Sequence, residues 1–254
     1  MADTLRIDDE DRVRTLTFDR PEAANAFDES LYLAVATALA DSAADDRVSV
    51  VLLTGAGRTF TAGTDLKEMA DLARRYAGGA PMGASGTGFS ALMDVLITFP
   101  KPLLAAVNGP GVGLGLTLLA HCDLVIMAEH ARLLAPFASM GVPPEAASSY
   151  LLPLRMGYQR AALALFSGRW ITAGEAVASG LALQACPAAD LMATAHGLAR
   201  EIAAQSPAAL TAAKRLLTEA HRDGVRAARE RESAAFADLL RQDGTPDAIL
   251  SRLD

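Results

Sequence analysis

Cysteine is nearly missing from this sequence. Its two thiols, Cys122 and Cys186, stand far apart with no CxxC partner, and a reduced, cytoplasmic protein is the expectation. A basic excess is missing too: 23 Lys and Arg against 30 Asp and Glu give a net charge of −7. No strongly basic face is available to wrap nucleic acid, although a small anionic ligand needs only a few local donors. The opening residues, MADTLRIDDEDR, lack the apolar core of a signal peptide. His121 and His130 have no second His or acidic ligand at metal spacing, so no metal site is expected. Between Pro102 and Cys122 there is no Asp, Glu, Lys or Arg, which invites a membrane-spanning interpretation. Asn108, Gly109, Pro110, Gly111, Gly113 and Gly115 cluster inside that stretch and break a single helix. A strand, a glycine turn and a buried helix are predicted there instead, and no membrane partner.

What is present is ordinary globular material: 254 residues, 51% apolar and 21% charged, enough for one large domain or a domain with a helical appendage. RVRTLTFDRP alternates like a half-buried strand that Pro21 ends. Asp28 reads as the N-cap of a helix through Leu39. VSVVLLTG (48–55), KPLLAAVNG (101–109) and DLVIMA (123–128) are apolar runs of strands buried on both faces, and FSALMDVLITF (89–99) is helical. Strands alternating with helices predict an α/β fold with crossover connections. Residues 77–88, AGGAPMGASGTG, predict a mobile surface loop able to act as a lid. After about residue 190 only amphipathic helices remain, which divides the chain into a core, 1–190, and a helical oligomerisation segment, 191–254.

Two stretches share a design: an apolar strand, a glycine-rich turn and a helix start. They are VVLLTGAGRTFTAGTDL (50–66) and LLAAVNGPGVGLGLTLL (103–119). Such turns leave backbone N–H groups unpaired, and two of them aimed at one oxygen would form an oxyanion hole. Glycines that merely allow close packing are the plainer account. Gly111 and Gly113 also fit part of a dinucleotide fingerprint, but Leu116 occupies the place of its last small residue. Glu145 is the other conspicuous feature, the one acid between Glu129 and Glu175. It is either a first-turn charge that complements a helix dipole or a carboxylate held in an apolar site to move protons.

Together these stretches resemble the crotonase superfamily of enoyl-CoA hydratases and isomerases. RPEAANAF (20–27) resembles its early CoA-binding loop and FTAGTDLKEM (60–69) its first oxyanion signature. KPLLAAVNGPGVGLGLTLLAHCDLVIMA (101–128) resembles the second signature, and SGRWITAGEAVASGLA (167–182) the segment before the C-terminal helices. The resemblance implies a ClpP/crotonase-like spiral of ββα units whose C-terminal helices build a homotrimer or a dimer of trimers. It also implies an acyl-CoA ligand lined by Ala24, Ala62, Gly63, Thr64, Asp65, Leu66 and Leu114. By position, the N–H groups of Ala62 and Leu114 would grip the thioester oxygen.

Hydratases of that family carry two glutamates. The matching positions here hold Thr117 and, where the family has Pro-Glu, Pro136 and Phe137, so the acids that hydration needs are missing. GVPPEAASSYLLP (141–153) instead resembles the peroxisomal-type Δ3,Δ2-enoyl-CoA isomerases, which carry one catalytic glutamate at the position of Glu145. Ala146 stands where that pattern usually has Gly. Phe137, Met140 and Val142 are expected to line an apolar pocket that excludes water. The implied reaction is a double-bond shift in a 3-enoyl-CoA during fatty-acid β-oxidation, with coenzyme A as part of the substrate and no separate cofactor. The rivals are an enoyl-CoA hydratase and a non-catalytic acyl-CoA-binding homologue. Asp65 is expected to order the first oxyanion loop, and Ser148 and Ser149 to pack or cap a helix. Lys214, Arg215 and Arg222 could reach CoA phosphates across a subunit contact or simply face solvent.

Overall fold

The computed structural model describes residues 4–77 and 87–240. Strands β1 (Leu5–Glu10) and β2 (Val13–Phe18) pair antiparallel, and helix α1 (Glu29–Ala44) leads to β3 (Val50–Gly55). Helices α2 (Leu66–Ala77) and α3 (Thr87–Thr98) follow. Next come β4 (Leu103–Val107), the short β5 (Gly111–Val112), the short helix α4 (Leu114–Thr117), β6 (Leu124–Ala128) and β7 (Arg132–Leu134). The remainder is α5 (Ser148–Met156), α6 (Tyr158–Ser167), β8 (Ile171–Thr172), α7 (Ala173–Ser179), β9 (Gln184–Cys186), α8 (Leu191–Ala203), α9 (Pro207–Glu219) and α10 (Arg222–Leu240). The main sheet has the order β1-β2-β3-β4-β6-β9 and is parallel from β2 onward, while β5, β7 and β8 make a second, small sheet.

The uncharged runs become the sheet's interior. Every residue of β3 and β4 is buried, as a strand covered by helices on both faces requires. The 102–122 stretch is indeed strand, turn and short helix, and no described helix is long and apolar enough to cross a membrane. Asp28 caps α1 by accepting from Leu31 N–H at 2.8 Å, and the helix runs five residues past Leu39.

Two expectations change. β2 alternates in sequence but is buried throughout, because α1 and α8 both pack on it. Its one charge, Arg14, is neutralised by Asp9 at 2.6 Å and Asp45 at 3.3 Å. The boundary expected at residue 190 also does not separate a core from an appendage. Leu191, Ala195, Ala199 and Ala203 of α8 belong to the same apolar core as the sheet, since small side chains at helical spacing let the helix lie close on β3 and β4. The predicted lid falls largely on 78–86, outside the described residues.

Candidate functional site

The site is assembled from four loops at the ends of the parallel strands. The RPEAAN segment is a tight turn in which Ala24 and Asn25 adopt left-handed backbone, φ 51° and 57°. The fully buried Asn25 side chain donates to the carbonyls of Ala56, at 2.9 Å, and Thr59, at 2.7 Å, and accepts from Arg20 N–H. It thereby ties this turn to the glycine loop after β3. That loop continues as extended chain between two neighbours. Thr61 bridges to Gly111 on one side and Thr64 to Phe27 on the other.

Extended backbone sends successive N–H groups to opposite sides, and this alternation decides which amides are free. Ala62 N–H donates to Ala24 O at 2.9 Å, Gly63 N–H to Thr61 Oγ1 at 3.0 Å and Asp65 N–H to Phe27 O at 2.8 Å. The expectation that Ala62 supplies an oxyanion donor is therefore corrected, because its hydrogen already belongs to the Ala24 carbonyl. Thr64 N–H is the one in this run left without a partner among the described residues. It points away from Phe27, which already exchanges hydrogen bonds with Gly63 and Asp65. Gly63 makes the approach to the second turn possible. Its φ is +88°, and an added Cβ would lie 2.5 Å from Val112 O and 3.4 Å from Leu114 N. Leu114 opens α4 behind Gly113, at φ 54°. Its N–H is one of the donors that a first helical turn leaves without an internal acceptor. Thr64 and Leu114 thus offer two main-chain donors from adjoining loops, with the Leu114 side chain buried and only its amide to contribute.

Thr117, one turn after Leu114, is fully buried. Its hydroxyl donates to Glu145 Oε1 at 2.7 Å, and no described group is bonded to Oε2. Glu145 retains partial exposure, yet protein encloses its carboxyl closely enough that burial pushes it up to about 7. The Thr117 hydrogen bond pulls the other way, and the Glu232 charge adds to the rise. Tyr32 of α1 completes this wall. Its hydroxyl shares a 2.7 Å hydrogen bond with Thr64 Oγ1, and burial, reinforced by the Glu145 charge, holds the phenol well above its ordinary range. Phe137, Met140 and Val142 are all buried around the turns that lead to Glu145.

Other expected residues have structural duties. Asp65 accepts from Lys67 N–H at 3.0 Å and lies 3.8 Å from Arg20, so it orders the start of α2. Leu66 begins that helix and packs on the core. His121 is half-buried, its Nε2 2.7 Å from Ala146 O, and the protein packed around its ring pushes it down to about 4. Ser148 Oγ is buried without a partner among the described residues, so no base activates it. Lys214 neither faces solvent nor awaits a phosphate. It is buried, donating to Lys101 O at 2.7 Å and pairing with Asp123 at 2.8 Å.

One participant gave no clear motif. Glu232 of α10 is buried and its carboxylate accepts from Ala147 N–H at 2.6 Å and Ser149 N–H at 2.8 Å. The available signal was an acid on a buried helical stripe, with Val225, Ala228 and Glu232 at spacings of three and four.

Comparison with known proteins agrees with this architecture. The chain matches the enoyl-CoA hydratase/isomerase family over residues 8–250. It is 30% identical to human enoyl-CoA delta isomerase 2 over 99% of its own length, spanning 63% of that protein. A crystal structure of an enoyl-CoA hydratase/isomerase from Pseudoalteromonas atlantica superposes with a TM-score of 0.89 at 35% identity, covering 98% of this chain and 96% of that one. A structure of an enoyl-CoA hydratase from Mycobacterium marinum is 50% identical, with a TM-score of 0.77 over 85% of this chain and 99% of its own. The fold is the crotonase fold. The chain belongs to the enoyl-CoA hydratase/isomerase family and is an acyl-CoA enzyme of that family.

Proposed function

We propose that this enzyme moves the double bond of a 3-enoyl-CoA to the trans-2 position, with Glu145 as the one acid–base group. The observation that carries this is the isolation of Glu145. Thr117 and Phe137 occupy the places where a hydratase would carry acids, and the neighbouring acid, Glu232, has both oxygens engaged by backbone amides. Hydration needs one group to activate water and another to protonate carbon; a double-bond shift needs a single group that takes a proton and returns it.

In this mechanism the thioester oxygen lies between the Thr64 and Leu114 amides, which stabilise the negative charge that develops when C2 loses a proton. Glu145 Oε2 accepts that proton while Oε1 stays anchored on Thr117. The electron pair delocalises over the dienolate, and Glu145 returns the proton to C4, giving the conjugated thioester. A carboxyl titrating at about 7 is matched to this task, because near neutral pH it is available both as base and as acid. The reaction is redox-neutral and coenzyme A enters with the substrate, so the chemistry calls for no further cofactor. We extend the proposal to service in fatty-acid β-oxidation and to a homotrimer or a dimer of trimers.

The hydratase reading is favoured by the 50% identity to the enoyl-CoA hydratase from Mycobacterium marinum. A panel of cis-3-enoyl-CoA thioesters, followed by ultraviolet absorbance of the conjugated product, tests both. Conversion by wild type and its loss in Glu145→Gln support the isomerase. Rapid water addition to crotonyl-CoA that survives Glu145→Gln refutes it.

A further inference from the structure

Directly after Glu145 the backbone takes two consecutive left-handed residues without glycine: Ala146 at φ 59° and Ala147 at φ 56°. Such a pair is strained for L side chains and persists only when surrounding contacts determine it. Two side chains from elsewhere in the sequence do so. His121 holds the Ala146 carbonyl at 2.7 Å. Glu232, 85 residues downstream of Ala147 on α10, takes the Ala147 N–H at 2.6 Å and reaches over to the Ser149 N–H at 2.8 Å. These are orphan donors of the first turn of α5, where a carboxylate also complements the helix dipole. α10 is itself fixed in place. Val225 and Ala228 pack on Ala147, and Arg229 is ion-paired with Asp94 of α3 and donates to Ser90 O at 3.2 Å.

We propose that Glu232 is a positioning residue for the proton-transferring carboxylate: by clamping the left-handed turn through the Ala147 and Ser149 amides, it fixes where the Glu145 side chain leaves the backbone and sets a second negative charge behind it. Glu232 acts through Glu145 and touches no substrate.

The charge environment of the pair is sparse. Glu145 accepts from the Thr117 hydroxyl of α4, and its charge is felt by the Tyr32 phenol of α1. Glu232 has Arg231 on its own helix, the hydroxyl and amide of Ser149 from α5 and the Ala147 amide just before that helix. His121 is held neutral. Arg155, further along α5, is tied to the Ala120 and Cys122 carbonyls, and Glu68 of α2 is engaged by Glu29 N–H at 2.9 Å. Glu232 is therefore the charge that bears most directly on Glu145, and it disfavours the charged form.

The proposal rests on Glu145 as the proton carrier, and its test separates the two claims. Glu145→Gln identifies the Glu145 resonance in 13C spectra of glutamate-labelled protein, and its titration is followed in wild type, Glu232→Gln and Glu232→Ala. Removing the charge and loosening the clamp both ease ionisation, so the midpoint of Glu145 should fall in each variant. With 3-enoyl-CoA, kcat should drop ~10- to 100-fold in Glu232→Ala, as displacement of a catalytic group by about 1 Å does. KM should stay within about twofold, because the oxyanion amides are untouched, and the acid limb of the pH–rate profile should move down with the titration. If Glu232→Ala fails to fold, as circular dichroism would reveal, Glu232→Gln carries the test. An unmoved Glu145 midpoint and an unchanged pH profile in Glu232→Gln overturn the positioning role even if isomerase activity is present. A shifted midpoint with no turnover of any 3-enoyl-CoA overturns the reaction and leaves the positioning role standing.

Discussion

The Thr117 hydroxyl, buried one turn into the helix that Leu114 opens, donates a 2.7 Å hydrogen bond to Glu145 Oε1. A second carboxylate there would repel the first, whereas a hydroxyl steadies it and leaves Oε2 without a partner among the described residues. Because the bond favours the ionised form, Thr117→Val should raise the Glu145 midpoint above about 7. A charge-assisted hydrogen bond of ordinary strength moves the acid limb of the pH–rate profile up by about one pH unit. An unmoved limb would show that the hydroxyl does not tune the acid.

Glu145 also makes stability depend on pH. Its carboxyl ordinarily titrates at 4.5 and does so at about 7 in the folded chain, so the folded state holds the proton more tightly. The stabilisation is complete below 4.5 and is lost as pH rises through 7. Glu145→Gln removes that loss. The variant should match wild type near about pH 4 and exceed it by up to about 3 kcal/mol at about pH 8. Urea unfolding at the two pH values checks this, and a difference independent of pH would contradict it.

Gly63 separates the loops that present the two free amides. A Cβ there meets Val112 O at 2.5 Å on a backbone with φ +88°. Gly63→Ala should destabilise the fold by about 2 kcal/mol or more and reduce kcat with it. A thermal melt equal to wild type would mean that the loops can part without cost.

At Ala146 the argument runs in reverse. With φ 59° the side chain is strained, and Ala146→Gly should stabilise the protein by up to about 1 kcal/mol once the extra freedom of glycine in the unfolded chain is subtracted. Chemical unfolding measures this directly; a loss of stability would mean that the Ala146 methyl contributes more through packing than its backbone loses.

Much of this was legible in the sequence. Buried runs announced β3, β4 and β6; Asp28 announced the start of α1; and the two glycine turns and the stranded acid marked the segments that carry Thr64, Leu114 and Glu145. What could not be read depended on neighbours in space. β2 looks half-buried until a second helix covers it. Choosing Thr64 over Ala62 requires knowing that Ala24 lies on one side of an extended segment and the Gly111 turn on the other. Lys214 resembles a solvated residue until Asp123 and the Lys101 carbonyl are brought to it. Glu232 looked like one more charge on a charged helix, because the amides it accepts lie more than eighty residues upstream.

That last contact bears on how the enzyme matures. Ribosomes deliver α10 after every strand and both glycine loops, so a nascent chain can complete its sheet while the turn behind Glu145 still lacks its clamp. On the proposed mechanism, competence for proton transfer would then arrive with the docking of α10 rather than with collapse of the core.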